Sequence, residues 1–229
     1  MHGNCQDSLI ISFNKKILFE GAQGTMLDID FGTYPFVTSS STIAGGASTG
    51  SGLAPNKLDA VIGITKAYAT RVGAGPFPTE MNNEVELAST IREKAHEYGA
   101  TTKRARRIGY FDSVIMRYSA MVNGMDGLAL MLLDILSGLG SLKICDYYEL
   151  DGKKITLPQA RLDEFARSVP HYIEMPGWDE DISGVKSFEE LPINAQNYIK
   201  KIEELVGVSV TMFSVGADKY QTIIRKELF

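Results

Sequence analysis

The sequence predicts an α/β fold in which a mixed, partly parallel sheet is flanked by helices. Three observations carry that prediction. Segments with helical periodicity alternate with short apolar, β-branched runs. An Asp-Gly pair separates two strand-like stretches, where it favours a tight antiparallel turn. Of the 229 residues, 44% are hydrophobic, enough to bury a substantial core.

Taken in order, Lys16 to Glu20 reads as a short strand running into the glycine-bounded turn Gly21-Ala22-Gln23-Gly24. Thr38 to Gly52 is crowded with Ser, Thr and Gly, which suits either a flexible linker or a packed segment where backbone approaches a ligand. Asp59 to Tyr68, with Val61, Ile62 and Ile64, fits a buried strand. The charged stretch Glu84 to Tyr98 fits a helix stopped by Gly99. Asp112 to Asn123 places Val114, Ile115, Tyr118, Met121 and Val122 at helical spacing, and Gly127 to Leu133 follows as a buried strand that ends at Asp134. Asp151-Gly152 then joins Cys145–Leu150 to Lys153–Thr156 as a hairpin. Trp178 to Ser187 is polar enough to be a surface excursion. Pro192 to Val206 fits a helix with an early proline and Gly207 as its stop, and Ser209 to Val215 fits a strand beyond it. No internal repeat or domain boundary is evident, so residues 1–229 read as a single domain or part-domain.

Composition narrows the function classes. The net charge of −5 argues against a general nucleic-acid-binding surface, which needs basic faces to displace counterions. The longest purely apolar run, Leu128 to Leu133, is far shorter than the roughly 20 residues of a membrane-spanning helix, so no membrane partner is expected. The first ten residues lack Lys and Arg, unlike a secretory signal. The cysteines Cys5 and Cys145 lie far apart, and Cys145 falls in an apolar stretch where a buried free thiol is the common reading. A cytoplasmic setting is the expectation.

Positive charge is local. Lys103, Arg104, Arg106 and Arg107 follow Gly99-Ala100-Thr101-Thr102, combining hydroxyl donors with guanidinium forks that grip carboxylate or phosphate through paired hydrogen bonds. A solvated basic turn or a partner-docking patch has the same composition. Asp134, at the expected end of a buried strand, stands where ligands gather in open α/β sheets, although many strand-end aspartates only cap a turn. The histidines His2, His96 and His171 have no metal-ligand spacing, and His96 reads as exposed on a charged helix.

Read together, Phe19-Glu20-Gly21-Ala22-Gln23-Gly24-Thr25-Met26-Leu27-Asp28-Ile29-Asp30-Phe31-Gly32-Thr33-Tyr34-Pro35-Phe36-Val37-Thr38-Ser39-Ser40 closely resembles adenylosuccinate synthetases. The resemblance continues through Thr70-Arg71-Val72-Gly73-Ala74-Gly75-Pro76-Phe77-Pro78-Thr79-Glu80, the basic loop, Met175-Pro176-Gly177-Trp178 and Ile202-Glu203-Glu204-Leu205-Val206-Gly207-Val208. It covers residues 16–229 and leaves 1–15 unmatched.

The resemblance implies a GTP-dependent ligase that joins aspartate to inosine monophosphate. GTP phosphorylates the purine carbonyl oxygen, the aspartate amine displaces that phosphate, and Mg²⁺ assists. It further implies that Gln23, Thr38 and Arg104 contact inosine monophosphate. Ala100, Thr101, Thr102, Lys103, Arg104, Ala105 and Arg106 would form the loop that grips aspartate. Arg106, Leu132, Leu133, Asp134, Ser214, Val215 and Gly216 would meet GTP, with Asp134 against the two donors of guanine. No metal ligand is expected in this chain. Three positions depart from the family pattern: Leu132 replaces a lysine, Ala217 a proline and Lys103 a loop glycine. The family's phosphate-binding glycine-rich start, its aspartate base, its histidine acid and an arginine donated across a dimer have no counterpart here. No catalytic residue is therefore identified, activity is expected only with a complementing N-terminal half, and a homo-oligomer or that complementing half is the expected protein partner. The alternative is a catalytically silent nucleotide- or anion-binding module derived from the same fold.

Overall fold

The computed structural model of the chain describes residues 16–99 and 103–228. Ala100, Thr101 and Thr102 of the basic loop, with His2 and Cys5, lie outside the described residues. In chain order the elements are α1 (Gly45–Ser51), β1 (Ile62–Lys66), β2 (Ala69–Arg71), α2 (Val85–Lys94), β3 (Arg107–Gly109), β4 (Phe111–Asp112), α3 (Ser113–Asn123) and β5 (Gly127–Met131). There follow β6 (Ser141–Leu150), β7 (Lys153–Ile155), α4 (Leu162–Arg167), β8 (Val169–Pro176), α5 (Ile193–Val206), β9 (Val210–Ser214) and β10 (Thr222–Ile224).

The main sheet runs β1-β5-β9-β10, with β1, β5 and β9 parallel and β10 antiparallel to β9. A second sheet is built on the long strand β6, which pairs parallel with β4 and antiparallel with β7 and β8. β2 and β3 form a two-stranded antiparallel ribbon. The mixed α/β class expected from the sequence is therefore the class observed. Asp151 (φ 51°) and Gly152 (φ 75°) both take the left-handed conformation that a two-residue hairpin turn of this hand requires.

α5 buries Ala195, Tyr198, Ile199, Ile202 and Val206, an apolar stripe at helical spacing. These join Leu128, Leu130, Val210 and Phe213 of the main sheet in one core cluster. Gly207 (φ 79°) ends the helix in the left-handed conformation. α3 starts at Asp112, whose carboxylate accepts from the Val114 and Ile115 amides at 3.1 and 3.2 Å, and it lies against α5 and β6.

Five local expectations are corrected. Lys16 to Glu20 forms no strand; it is exposed, with Leu18 86% accessible, because it has no partner strand to complete a ladder among the described residues. β1 is an edge strand rather than a buried one, and Ile64 is 76% exposed. α2 ends at Lys94 instead of running to Tyr98, since His96 turns left-handed (φ 50°) and Glu97 is drawn into tertiary contacts. β5 ends at Met131, and Asp134 opens a short 3-10 turn, Asp134–Leu136, rather than closing the strand. The Trp178 to Ser187 segment is pinned to the core by Trp178 and Ile182, at 3% and 1% exposure.

The open question about Thr38 to Gly52 resolves towards packing. Gly45–Ser51 is a poor helix former by composition, yet it is helical because its entry is fixed from outside. The Asp28 carboxylate accepts from the Thr42 and Ile43 amides at 2.6 and 3.2 Å, and Asn123 Oδ1 accepts from the Ala44 amide at 2.7 Å.

Candidate functional site

The carboxyl ends of the three parallel strands lie side by side. Lys66, the last residue of β1, is in register with Met131, the last of β5, and Ser214 ends the neighbouring β9. Loops leaving such an edge are where α/β sheets gather ligand-binding groups. Two sets of side chains emerge from it or pack near it, and a third is tied to Asn123 at the end of α3.

The first set follows β5 and β9. The Leu132 amide donates to Ser214 Oγ at 2.8 Å and the Leu133 amide to the Ser214 carbonyl at 3.2 Å, so Leu132–Asp134 and Ser214–Gly216 are tied together. Leu132 is left-handed (φ 63°), which turns the chain sharply out of the strand. Asp134 Oδ1 is buried and has no hydrogen-bond partner among the described residues. Burial, reinforced by the Asp181 carboxylate, raises the Asp134 pKa above the ordinary carboxyl value. Such an acceptor is costly unless something donates to it.

The second set is centred on Glu97, which is only 2% exposed. Its Oε1 accepts from Lys66 Nζ at 2.5 Å and from the Tyr68 hydroxyl at 2.7 Å, while Oε2 accepts from Arg106 Nη1 at 2.6 Å. The Arg106 amide also donates to the Glu97 carbonyl at 2.9 Å, Tyr98 bridges Ala105, and the Gly99 amide donates to the Arg104 carbonyl at 2.8 Å. The basic loop thus rises from a short antiparallel stem. Burial opposes ionisation of Glu97, but the Lys66, Tyr68 and Arg106 donors hold its pKa below the ordinary range. Burial raises the Tyr68 pKa, and the charges of Glu97 and Asp134 raise it further.

The basic residues of the loop divide into different jobs. Arg107 is structural: Nε and Nη2 grip Glu80 at 2.8 and 2.5 Å, and Nη1 donates to the carbonyls of Gly73 and Gly75 at 3.1 and 2.9 Å. Arg106 spends only Nη1 on Glu97, and its buried Nε has no partner among the described residues. Lys103, Arg104 and Ala105 are exposed. Lys103 adopts φ 54° and its amide donates to the Gly99 carbonyl at 2.9 Å.

The third set lies on the Gly21–Gly24 turn. Gln23 Nε2 donates to Thr38 Oγ1 at 3.3 Å, and Ser40 Oγ donates to Gln23 Oε1 at 3.5 Å. Beneath them, fully buried Asp28 accepts four backbone N–H bonds, from Asp30, Phe31, Thr42 and Ile43. Burial works against its charge, yet those four amides keep its pKa below the ordinary value. Arg71 Nη2 donates to Thr33 Oγ1 at 2.9 Å, connecting this loop to β2, whose partner β3 continues from the arginine stem.

Residues 8–223 match the family model for adenylosuccinate synthetase. The chain belongs to the adenylosuccinate synthetase family. An adenylosuccinate synthetase of Limosilactobacillus reuteri is 58% identical over 214 residues, 93% of this chain and 49% of that protein. One from Listeria monocytogenes is 53% identical over 229 residues, 98% of this chain and 53% of that protein. The solved structure of a fully ligated adenylosuccinate synthetase from Plasmodium falciparum superposes with a TM-score of 0.91 at 41% identity, covering 96% of this chain and 53% of the other. The chain spans about half the length of the relatives it matches.

Of the three positions expected to depart from the family pattern, Lys103 and Leu132 both have positive φ, whereas Ala217 is simply exposed beside the Asp218 turn. The structure brings Gln23 to Thr38, and Leu132, Leu133 and Asp134 to Ser214. Arg106 and Tyr68 are brought together on Glu97. Sequence reasoning missed Lys66, Tyr68, Glu97 and Asp28. Glu97 looked like one more charge on a helix, and the only sequence signal was its place just before the basic loop. The described residues contain no group of three or more His, Cys, Asp or Glu able to hold a metal ion, and no helix among them is long and apolar enough to cross a membrane.

Proposed function

We propose that this chain supplies substrate-binding surfaces of an adenylosuccinate synthetase, which ligates L-aspartate to inosine monophosphate at the expense of GTP in purine biosynthesis. The reaction is carried out together with the remainder of the family's length. One observation carries the reading: Asp134 presents a buried carboxylate oxygen with no partner among the described residues, in a segment whose Leu132 and Leu133 amides are held by Ser214 at the carboxyl edge of three parallel strands. Guanine offers a ring N–H and an exocyclic amino group on one edge, and a carboxylate accepts both. Adenine offers no such pair.

In this reading Arg104 and Arg106 meet the carboxylates of aspartate and the phosphates of the nucleotides, with Ala100 to Ala105 forming the rest of the aspartate loop. Gln23, Thr38 and Arg104 meet inosine monophosphate. The Gln23–Thr38 pair supports this because both side chains are amide or hydroxyl groups held at one turn over a rigid Asp28 anchor. Mg²⁺ would assist the phosphoryl transfer, with its ligands largely in the remainder of the family's length; among the described residues no group of three or more His, Cys, Asp or Glu is placed to hold a metal ion. A cytoplasmic setting, and assembly as a homo-oligomer or with a complementing half, go with the same reading. The buried free thiol of Cys145 is consistent with a reducing compartment.

Isothermal titration with GTP, inosine triphosphate and ATP tests the proposal. The chain is expected to prefer GTP over inosine triphosphate by about 1 to 3 kcal/mol, the worth of a good two-bond base contact. Asp134→Asn removes that preference and improves tolerance for xanthosine triphosphate, which carries a carbonyl in place of the amino group. Equal affinity for the three nucleotides before and after mutation takes Asp134 out of the site.

A further inference from the structure

We propose that Glu97 is a positioning residue: by holding Arg106 Nη1 and the stem of the basic loop, it presents the remaining guanidinium edge of Arg106 to an anionic substrate. The inference rests on the reading of that loop as an anion receptor. Its basis is the contrast between two adjacent arginines. Arg107 shows what a satisfied fork looks like in this protein, with Nε and Nη2 on the two oxygens of Glu80 and Nη1 on backbone carbonyls. In Arg106 the arrangement is different, because Glu97 takes Nη1 from the end and leaves the buried Nε without a partner among the described residues. The edge that grips a carboxylate in Arg107 is the edge withheld from Glu97 in Arg106.

Glu97 is built to hold and not to react. It is 2% exposed, both oxygens are engaged, and its backbone carbonyl accepts the Arg106 amide, so side chain and main chain fix Arg106 twice. Lys66 keeps the cluster from collapsing into a simple ion pair. With two cations on one carboxylate, the charge of Arg106 is only partly neutralised and stays attractive to an incoming anion. Lys66 also closes β1 next to Met131, which places the cluster one short turn from Asp134. The loop and the strand ends therefore share a single anchor.

Nitrogen-detected NMR of the Arg106 guanidinium, paired with titration of L-aspartate and GTP, tests the inference. Glu97→Ala and Glu97→Gln are compared with the wild-type chain, with Arg106→Ala, and with Glu80→Gln as the control that disturbs Arg107 alone. In the wild-type chain the held Nη1 slows rotation of the guanidinium and keeps its nitrogens distinct; both Glu97 variants average them, and Glu80→Gln does not. Ligand affinity falls by about tenfold or more in Glu97→Ala, approaching the loss in Arg106→Ala. If Glu97→Ala fails to fold, Glu97→Gln, nearly identical in shape, carries the same comparison. Retention of distinct Arg106 nitrogens in the Glu97 variants overturns the proposal, as does wild-type affinity in Glu97→Ala alongside weakened binding in Arg106→Ala. If the wild-type chain binds neither ligand, the receptor reading fails, and with it the presenting role; the NMR comparison then reports separately whether Glu97 holds the guanidinium.

Discussion

Lys103 and Leu132 face the same backbone problem with different side chains. An L-residue in the left-handed region carries roughly 1 to 2 kcal/mol of strain that glycine avoids. Lys103 (φ 54°) is exposed, so little packing offsets that strain, whereas Leu132 (φ 63°) is partly buried against the core. Lys103→Gly is therefore expected to stabilise the chain by up to about 1 kcal/mol, after allowing for the extra freedom of glycine in the unfolded state. In thermal unfolding this raises the midpoint by about 2 to 4 °C for a chain of this size. A lowered midpoint means that the lysine side chain makes a contact worth more than the strain. Leu132→Gly has the opposite expected sign, because it gives up apolar packing. At this scale the sequence exposed the chemistry of the basic loop but not its division of labour. The partners that separate Arg106 from Arg107 lie 9 and 27 positions away, Glu97 on the far side of the loop and Glu80 on the far side of α2. No local pattern connects them.

Elements were legible where local chemistry and tertiary demand agree. The Asp-Gly turn between β6 and β7, and the Pro192 and Gly207 boundaries of α5, specify geometry within a few residues, and the structure follows them. Lys16 to Glu20 has strand composition without a strand to pair with, and the end of α2 is set by the long-range attraction of Glu97 to Lys66, Tyr68 and Arg106. Both depend on contacts that periodicity cannot display. The start of α3 joins the two cases. Asp112 caps the helix as its sequence position suggests, but its second oxygen also accepts from the Tyr148 hydroxyl at 2.5 Å and Thr79 Oγ1 at 3.3 Å, clamping the helix to β6. Burial pushes its carboxyl up from the ordinary 3.8 to about 6, against the lowering effect of those donors. The folded chain thus retains a proton that the unfolded chain has lost between those values, so stability falls as pH rises from about 4 to about 6 and is level above that. The shift corresponds to about 3 kcal/mol. Asp112→Asn, which keeps a capping oxygen, is expected to remove this part of the slope in urea titrations across that window. An unchanged slope assigns the pH dependence to another group.

For the whole molecule, the feature with the largest consequence is the outer edge of β1. The strand order β1-β5-β9-β10 leaves β1 with a neighbour on one side only among the described residues, and Ile64 at its centre is 76% exposed. Open edges of this kind offer unpaired N–H and C=O groups to any chain able to add a strand, and natural proteins usually protect them with charge, proline or a bulge. Lys66 is the one charge in this strand, and it is turned towards Glu97 instead of guarding the edge. The chain also spans about half the length of its relatives, so an edge strand here need not be an edge strand in them. Isolated, the chain is expected to associate through β1. Burying Ile64 in such a pairing contributes about 1.5 to 3 kcal/mol, and Ile64→Lys replaces that gain with a charge at the centre of the contact. Association should weaken by at least about tenfold, read by sedimentation velocity over a dilution series. The substitution leaves the core intact because the Ile64 side chain is 76% exposed, so the unfolding free energy at low protein concentration should stay within about 0.5 kcal/mol of the wild-type value. If Ile64→Lys associates as strongly as the parent chain, the contact lies elsewhere and the β1 edge is protected in a way its exposure does not reveal. If association disappears while GTP binding persists, edge pairing and ligand recognition are separable, as expected when Asp134 sits at the strand ends and Ile64 in the middle of the outer strand.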